Sequence, residues 1–156
     1  MSSLKKVGPK SPAVPGQDAV LRYAGTVVRS RREVEAFLTR RGVPVAEQAV
    51  LLAACEARGL INDAAAAQLW AQHWLDQGYA WAAVRERLRT KGIDDRTLHS
   101  LDAQDRFAGD DESSARRVAA RLRGRSAAAV ARALASRGFD PDIIERVVSN
   151  TFGSTP

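Results

Sequence analysis

The chain has 156 residues, 45% hydrophobic and 27% charged, a balance that supports a core of ordinary size and excludes wholesale disorder. Its 24 Lys and Arg against 18 Asp and Glu give a formal charge of +6, which favours polyanionic partners such as nucleic acid. A single cysteine excludes an intramolecular disulfide, the lysine-led start lacks the apolar core of a signal peptide, and no apolar run approaches the roughly 20 residues of a membrane span, so a cytoplasmic protein is expected.

Residues 1–16 are rich in proline and glycine and read as a flexible, solubilising tail. From Gln17 to Val28 the apolar residues Val20, Leu21, Ala24, Val27 and Val28 recur at helical spacing. Ser30-Arg31-Arg32-Glu33 then predicts a capping box, in which the Ser30 hydroxyl accepts from the Glu33 N–H and the Glu33 carboxylate accepts from the Ser30 N–H. The helix so started carries Val34, Phe37 and Leu38 and ends at Gly42, a C′ glycine free to take positive φ; Arg40 and Arg41 in its last turn complement the dipole. Pro44 suits the first turn of the next helix, whose stripe is Leu51, Leu52 and Cys55 and whose stop is Gly59. Cys55 has no His or Cys near it in sequence and reads as a small core residue. Asn62 or Asp63 caps the following helix, where Leu69, Trp70, His73 and Trp74 share a face expected to turn inward.

Gly78 breaks the chain again. Tyr79, Trp81, Val84 and Leu88 form the apolar side of a helix closed by Gly92, and Asp94 or Asp95 caps another that buries Leu98 and Leu101. Asp110-Asp111-Glu112 leads into a helix holding Val118, Ala119 and Leu122; a helix N-terminus accounts for such adjacent carboxylates without invoking metal or acid–base chemistry. Ser126 caps a helix running through Val130 and Leu134 to Gly138. Asp140-Pro141 starts the last one, a capping acid followed by proline at N1, with Ile143, Ile144, Val147 and Val148 as its core side. Residues 151–156 read as a frayed end.

One phrase occurs three times. Residues 34–42 read VEAFLTRRG, residues 84–92 VRERLRTKG and residues 130–138 VARALASRG, each a Val followed four residues later by Leu and eight later by Gly, with a cation before the Gly. The three glycines lie 50 and 46 residues apart, a period that marks an array of repeated supersecondary units. The pattern predicts an all-α protein of three-helix repeats over 17–150, divided at about 17–77, 78–125 and 126–150, with an extra helix in front and an incomplete last triplet.

The chain carries no Gly-rich phosphate loop, no metal-spaced Cys/His cluster and no Ser or Cys beside an evident base, so no enzymatic activity, cofactor or metal is expected. Cations stand out instead. Arg85 and Arg89 share one helix face, Arg87 and Lys91 the neighbouring one, and Arg116, Arg117, Arg121, Arg123 and Arg125 crowd into ten residues. Like charges at four-residue spacing destabilise a helix by roughly 0.2–0.5 kcal/mol per pair, a repulsion that a polyanion would remove. The same arginines also fit solvated faces relieved by Glu86, Asp105 or Glu112.

The sequence resembles the RecX family of regulatory proteins, which modulate the RecA recombinase. The resemblance is carried by Arg29-Ser30-Arg31-Arg32-Glu33-Val34 with Leu38 and Arg41-Gly42-Val43, and by Gly59-Leu60-Ile61-Asn62-Asp63 with Ala67 and Trp70. It continues through Gly78 and Leu88-Arg89-Thr90-Lys91-Gly92-Ile93-Asp94 to Leu134-Ala135-Ser136-Arg137-Gly138-Phe139-Asp140 and Ile144, spanning about residues 18–150 in order. It implies an elongated, curved tandem array that acts without enzymatic activity, as a monomer. Such an array would lie along the groove of the RecA–DNA filament and restrain its growth, ATP hydrolysis and strand exchange in recombination and repair. Direct contact with single- or double-stranded DNA is expected to be weak, and no membrane or small-molecule substrate is implied. Three positions depart from the family pattern: Asn62 stands where an acid is usual, Ala66 where Phe is typical, and Trp74 where Arg is common. The composition alone also fits a DNA-binding regulator that acts without RecA, or an interaction scaffold that touches no nucleic acid.

Overall fold

A computed structural model describes residues 16–153. The expected tail over 1–16 therefore lies, apart from Gly16, outside the described residues. Among them are nine α-helices and no named strand: α1 (Gln17–Gly25), α2 (Arg31–Arg40), α3 (Val45–Ala57), α4 (Asp63–Asp76), α5 (Trp81–Thr90), α6 (Asp95–Asp102), α7 (Asp111–Arg121), α8 (Ala127–Ser136) and α9 (Pro141–Phe152). The chain divides between Asn62 and Asp63 into two compact units.

The first unit packs α1, α2 and α3 around Val20, Ala24, Val34, Leu38, Leu51, Leu52 and Cys55. Ser30 and Glu33 form the expected reciprocal capping box, with Ser30 fully buried. Burial pushes the Cys55 thiol pKa up, away from reactive thiolate, in keeping with a core role. Tyr23 and Phe37 stack with centroids 4.1 Å apart, and Arg29 and Arg41 lie over their respective rings. The first helix is shorter than its apolar spacing predicts. It stops at Gly25, leaving Val27 and Val28 at 55% and 36% exposure, because the segment before α2 is drawn into backbone pairing where Arg29 bridges Ile61. Pro44 is the residue before α3 rather than within its first turn.

The second unit contains two cores. One joins α4, α5 and α6 through Ala67, Ala71, Val84, Leu88, Leu98 and Leu101, with Trp81 and Phe107 closing it. The other joins α7, α8 and α9 through Ala115, Val118, Ala119, Val130, Leu134 and Val147. Ala80 belongs to this second core although it precedes α5, and its N–H donates to the Arg137 carbonyl at 3.0 Å. The Trp81 N–H donates to the Asp111 carboxylate at 3.1 Å. Gly138 takes φ +81° at the end of α8, where an added Cβ would meet the Ala83 Cβ at 2.6 Å. Backbone bonds and a glycine contact thus pin the two cores of this unit together.

The repeated phrase forms the middle helix of each core. Val34, Val84 and Val130 are fully buried, and Leu38, Leu88 and Leu134 nearly or fully so. Each copy ends in a Schellman motif: the glycine N–H bonds the carbonyl three residues back, and the next N–H (Val43, Ile93 or Phe139) bonds the carbonyl of the repeat leucine. The helices gather as α1–α3, α4–α6 and α7–α9, three complete triplets in a different phase from the divisions at 77 and 125. The phase differs because α4, read as the end of the first repeat, packs on α5 and α6.

Helix α4 also differs in which face it buries. Ala66, Ala67 and Ala71 turn inward, while Leu69 is 58% exposed and His73 is exposed. Three alanines let the backbone approach its neighbours closely, so the bulky residues are displaced to the flank, where Trp70, Trp74 and Leu75 are partly buried. At the other end, α9 remains helical through Phe152, two residues past Asn150; residues 154–156 lie outside the described set.

Candidate polyanion-contact surface

The predicted cations fall on two elements of the second unit, α5 and the stretch from α7 into its following turn. The structure sorts them by what each one touches.

On α5, Arg85 is held within the fold. Its Nε lies 3.0 Å from Asp102 Oδ1, the oxygen that also accepts from Trp81 Nε1 at 2.8 Å. Both partners are about two-thirds covered, so this cation fixes the end of α6 against the start of α5. Arg89 is exposed but bonded on both sides, to Asp95 at 3.3 Å and Glu86 at 2.9 Å, and these carboxylates, Asp95 foremost, raise its pKa above the ordinary guanidinium value. The shared face of Arg85 and Arg89 is therefore largely neutralised from within.

The neighbouring face is different. The Arg87 guanidinium lies over Tyr79 at 4.1 Å and over Trp74 at 5.7 Å, and the Lys91 ammonium over Trp70 at 5.0 Å. A ring face orients a cation without cancelling its charge, so Arg87 and Lys91 keep their positive charge for an external anion.

In α7, Arg116 pairs with Glu112, which also holds Arg146 of α9. Among the described residues, Arg117 and Arg121 have only neutral acceptors: Arg117 donates to Ser114 Oγ at 2.9 Å, and Arg121 to the Asp76 carbonyl at 3.4 Å. Arg123 and Arg125 are exposed in the turn after α7. Arg117 and Arg121 line a groove of about 590 Å³ together with Arg106, a residue that no motif or spacing singles out. Arg106 sits in the non-helical stretch between α6 and α7, where no periodicity assigns a residue to a face. It lies over the Phe107 ring at 4.3 Å and donates to the side-chain oxygens of Gln104 and Gln68.

Of Asp94 and Asp95, Asp94 is the cap, accepting from the Thr97 N–H, and Asp110 accepts from the Glu112 and Ser113 N–H groups, so both serve helix N-termini. The Ser113 hydroxyl and backbone N–H hold the Asp110 carboxyl below the usual carboxylate range. Among the described residues no group of three or more His, Cys, Asp and Glu side chains could hold a metal, and no helix is long and apolar enough to cross a membrane.

No profile of a known protein family matches the chain. Curated relatives do. It is 30% identical over 135 residues to the regulatory protein RecX of Streptomyces coelicolor, a match covering 86% of this chain and 66% of that protein. The RecX of Mycolicibacterium smegmatis is 32% identical over 93 residues, covering 59% of this chain and 50% of the relative. The chain thus spans just under two thirds of the length of its Streptomyces relative and half that of the mycobacterial one. Among solved structures, RecX from Lactobacillus salivarius superposes with a TM-score of 0.63 at 22% identity, covering 86% of this chain and 93% of that one. A second structure of regulatory protein RecX gives 0.67 at 19% identity over 85% and 70% of the two chains. At these identities the structural matches establish the fold.

Proposed function

This chain belongs to the RecX family, and on that premise we propose that it is a non-enzymatic regulator that binds the RecA–DNA filament and restrains its ATP hydrolysis, growth and strand exchange. The observation that carries the proposal is the match to a RecX relative over 86% of the chain, which runs through the repeated helices. The fold supports it: three helix triplets, each with the same stop after its middle helix, offer several separate surfaces for weak contacts. Contacts made together raise avidity without any one of them being strong. A regulator that bridges successive protomers in this way holds one filament geometry and hinders the subunit movements of the reaction cycle.

Of the cations predicted from sequence, those most suited to such contacts are the ones whose charge is not cancelled within the fold: Arg87, Lys91, Arg117, Arg121, Arg123 and Arg125; Arg85, Arg89 and Arg116 are engaged by carboxylates. We place the protein as a monomer in the cytoplasm, with RecA filament as its main partner and weaker affinity for DNA alone.

The test is RecA ATPase on single-stranded DNA. Hydrolysis and strand exchange should slow at amounts well below one chain per RecA protomer, and the chain alone should show no nuclease, ATPase or helicase activity. RecA left unaffected at stoichiometric amounts would sink the proposal. DNA binding that persists without any effect on RecA would instead favour a regulator acting on DNA directly.

A further inference from the structure

The groove beside α7 holds three guanidiniums, Arg106, Arg117 and Arg121, and among the described residues none of them forms an ion pair with a carboxylate. Their acceptors are two glutamine side chains, a serine hydroxyl and a backbone carbonyl. Neutral acceptors orient a guanidinium but leave its charge in place, and its remaining N–H donors are in the fork arrangement that suits phosphate.

Three carboxylates also line the groove, and each already has a protein donor. Asp110 accepts from two backbone N–H groups and the Ser113 hydroxyl at the N-terminus of α7, where the helix dipole opposes its charge. Asp111 accepts from the Trp81 N–H, and Asp76 from the Gln72 amide. Each acid is thus held by a donor of the fold, and the N–H groups left over in the groove belong to the arginines.

We propose that this groove is a phosphodiester site, in which Arg106, Arg117 and Arg121 bind the backbone of a nucleic-acid strand, with the Ser114 hydroxyl as an additional donor. The proposal deepens the filament-binding reading, on which it rests, by assigning the strand rather than the recombinase to this surface. The lining favours a strand over an acidic protein segment. A protein partner is normally anchored by an aromatic or aliphatic side chain in an apolar pocket. Here the apolar wall is chiefly Leu75 and Phe107, and Phe107 is only 2% exposed, its core position and the Arg106 guanidinium covering it. What the groove presents is donors.

The experiment is fluorescence anisotropy of a labelled oligothymidylate titrated with the full chain at graded salt, without RecA. Arg117→Gln with Arg121→Gln, and separately Arg106→Gln, are compared with Arg116→Gln. The last removes one charge, as Arg106→Gln does, and takes it from the helix of Arg117 and Arg121, but from a residue paired with Glu112 and outside the groove lining, so losses are compared per charge removed. The double variant should weaken binding about tenfold at low salt and lower the log–log salt slope by roughly 0.7 for each phosphate no longer neutralised. Arg116→Gln should change binding far less, and circular dichroism should give all variants the same helicity. Equal losses for Arg116→Gln and the groove variants would mean a diffuse charge effect and overturn the proposal, as would unchanged binding in the double variant or no binding by the parent chain. Polyglutamate that displaces the oligonucleotide as well as polyphosphate does would overturn the choice of a phosphodiester ligand. The RecA ATPase assay is read separately, so a groove that binds DNA in a chain with no effect on RecA fails the filament reading alone.

Discussion

Gly42 and Gly138 occupy the same place in two copies of the repeat, yet their surroundings predict different responses to an identical substitution. Both are left-handed, with φ +72° and +81°, so Gly→Ala strains either one by about 1–2 kcal/mol. At Gly42 the added Cβ has no heavy atom within 4 Å, and the cost should end there. At Gly138 it would lie 2.6 Å from the Ala83 Cβ and 3.6 Å from the Ala83 Cα, on the helix of the adjoining core. Relieving that overlap requires α8 to shift against α5 and loosens the Ala80 to Arg137 hydrogen bond, adding about 1–3 kcal/mol. Native-state hydrogen exchange reads α2 and α8 separately and supplies both values in one protein background. Ala83→Gly in the Gly138→Ala variant should recover part of the loss, once the cost of glycine in a helix is subtracted through a double-mutant cycle. Equal destabilisation at Gly42 and Gly138, or no coupling to Ala83, would refute the close approach of the two cores.

Leu88→Ala should cost about 2–5 kcal/mol in denaturant unfolding, since the side chain is fully buried among Val84, Leu98 and Leu101; a loss under about 1 kcal/mol would remove it from the core. Arg85→Glu should lower stability by about 1–3 kcal/mol, because it sets a second carboxylate beside Asp102 and leaves Trp81 Nε1 to share that charge; an unchanged melting temperature would show that Arg85 is a free surface cation. The depressed Asp110 pKa contributes stability above the ordinary carboxylate value of about 3.9, and that contribution is lost as pH falls toward the lower folded value. Asp110→Asn should therefore flatten the acid limb of a stability–pH profile, and an identical limb would disconnect the cap from acid unfolding.

The helices and their ends were legible because the signals are local. Ser30, Ser126 and Asp140 cap where the sequence places them, and the Val–Leu–Gly phrase marks three buried middle helices. In α4 alanine gives little contrast to a periodicity: Trp70 and Trp74 do pack against the core, but Leu69 and His73 are exposed and the most deeply buried face is Ala66, Ala67 and Ala71. The sorting of the cations was hidden for another reason. Arg85 and Arg87 are indistinguishable by spacing, and their difference comes from Asp102 on another helix and from the rings of Trp74 and Tyr79. Partners of that kind are set by tertiary structure. Arg106, in a turn without periodicity, offered no local signal at all.

The first triplet draws its core entirely from residues 20–55, and its last backbone bond, from the Asn62 N–H to the Arg29 carbonyl, closes before α4 begins. Contacts of such short sequence separation have a low loop-closure cost and favour fast folding. A ribosome adding about 5–20 residues per second leaves ample time for helices to form on the microsecond scale. The amino-terminal triplet can therefore bury Val34 and Leu38 while the second unit is still being synthesised, shortening the time its apolar stripe is open to aggregation.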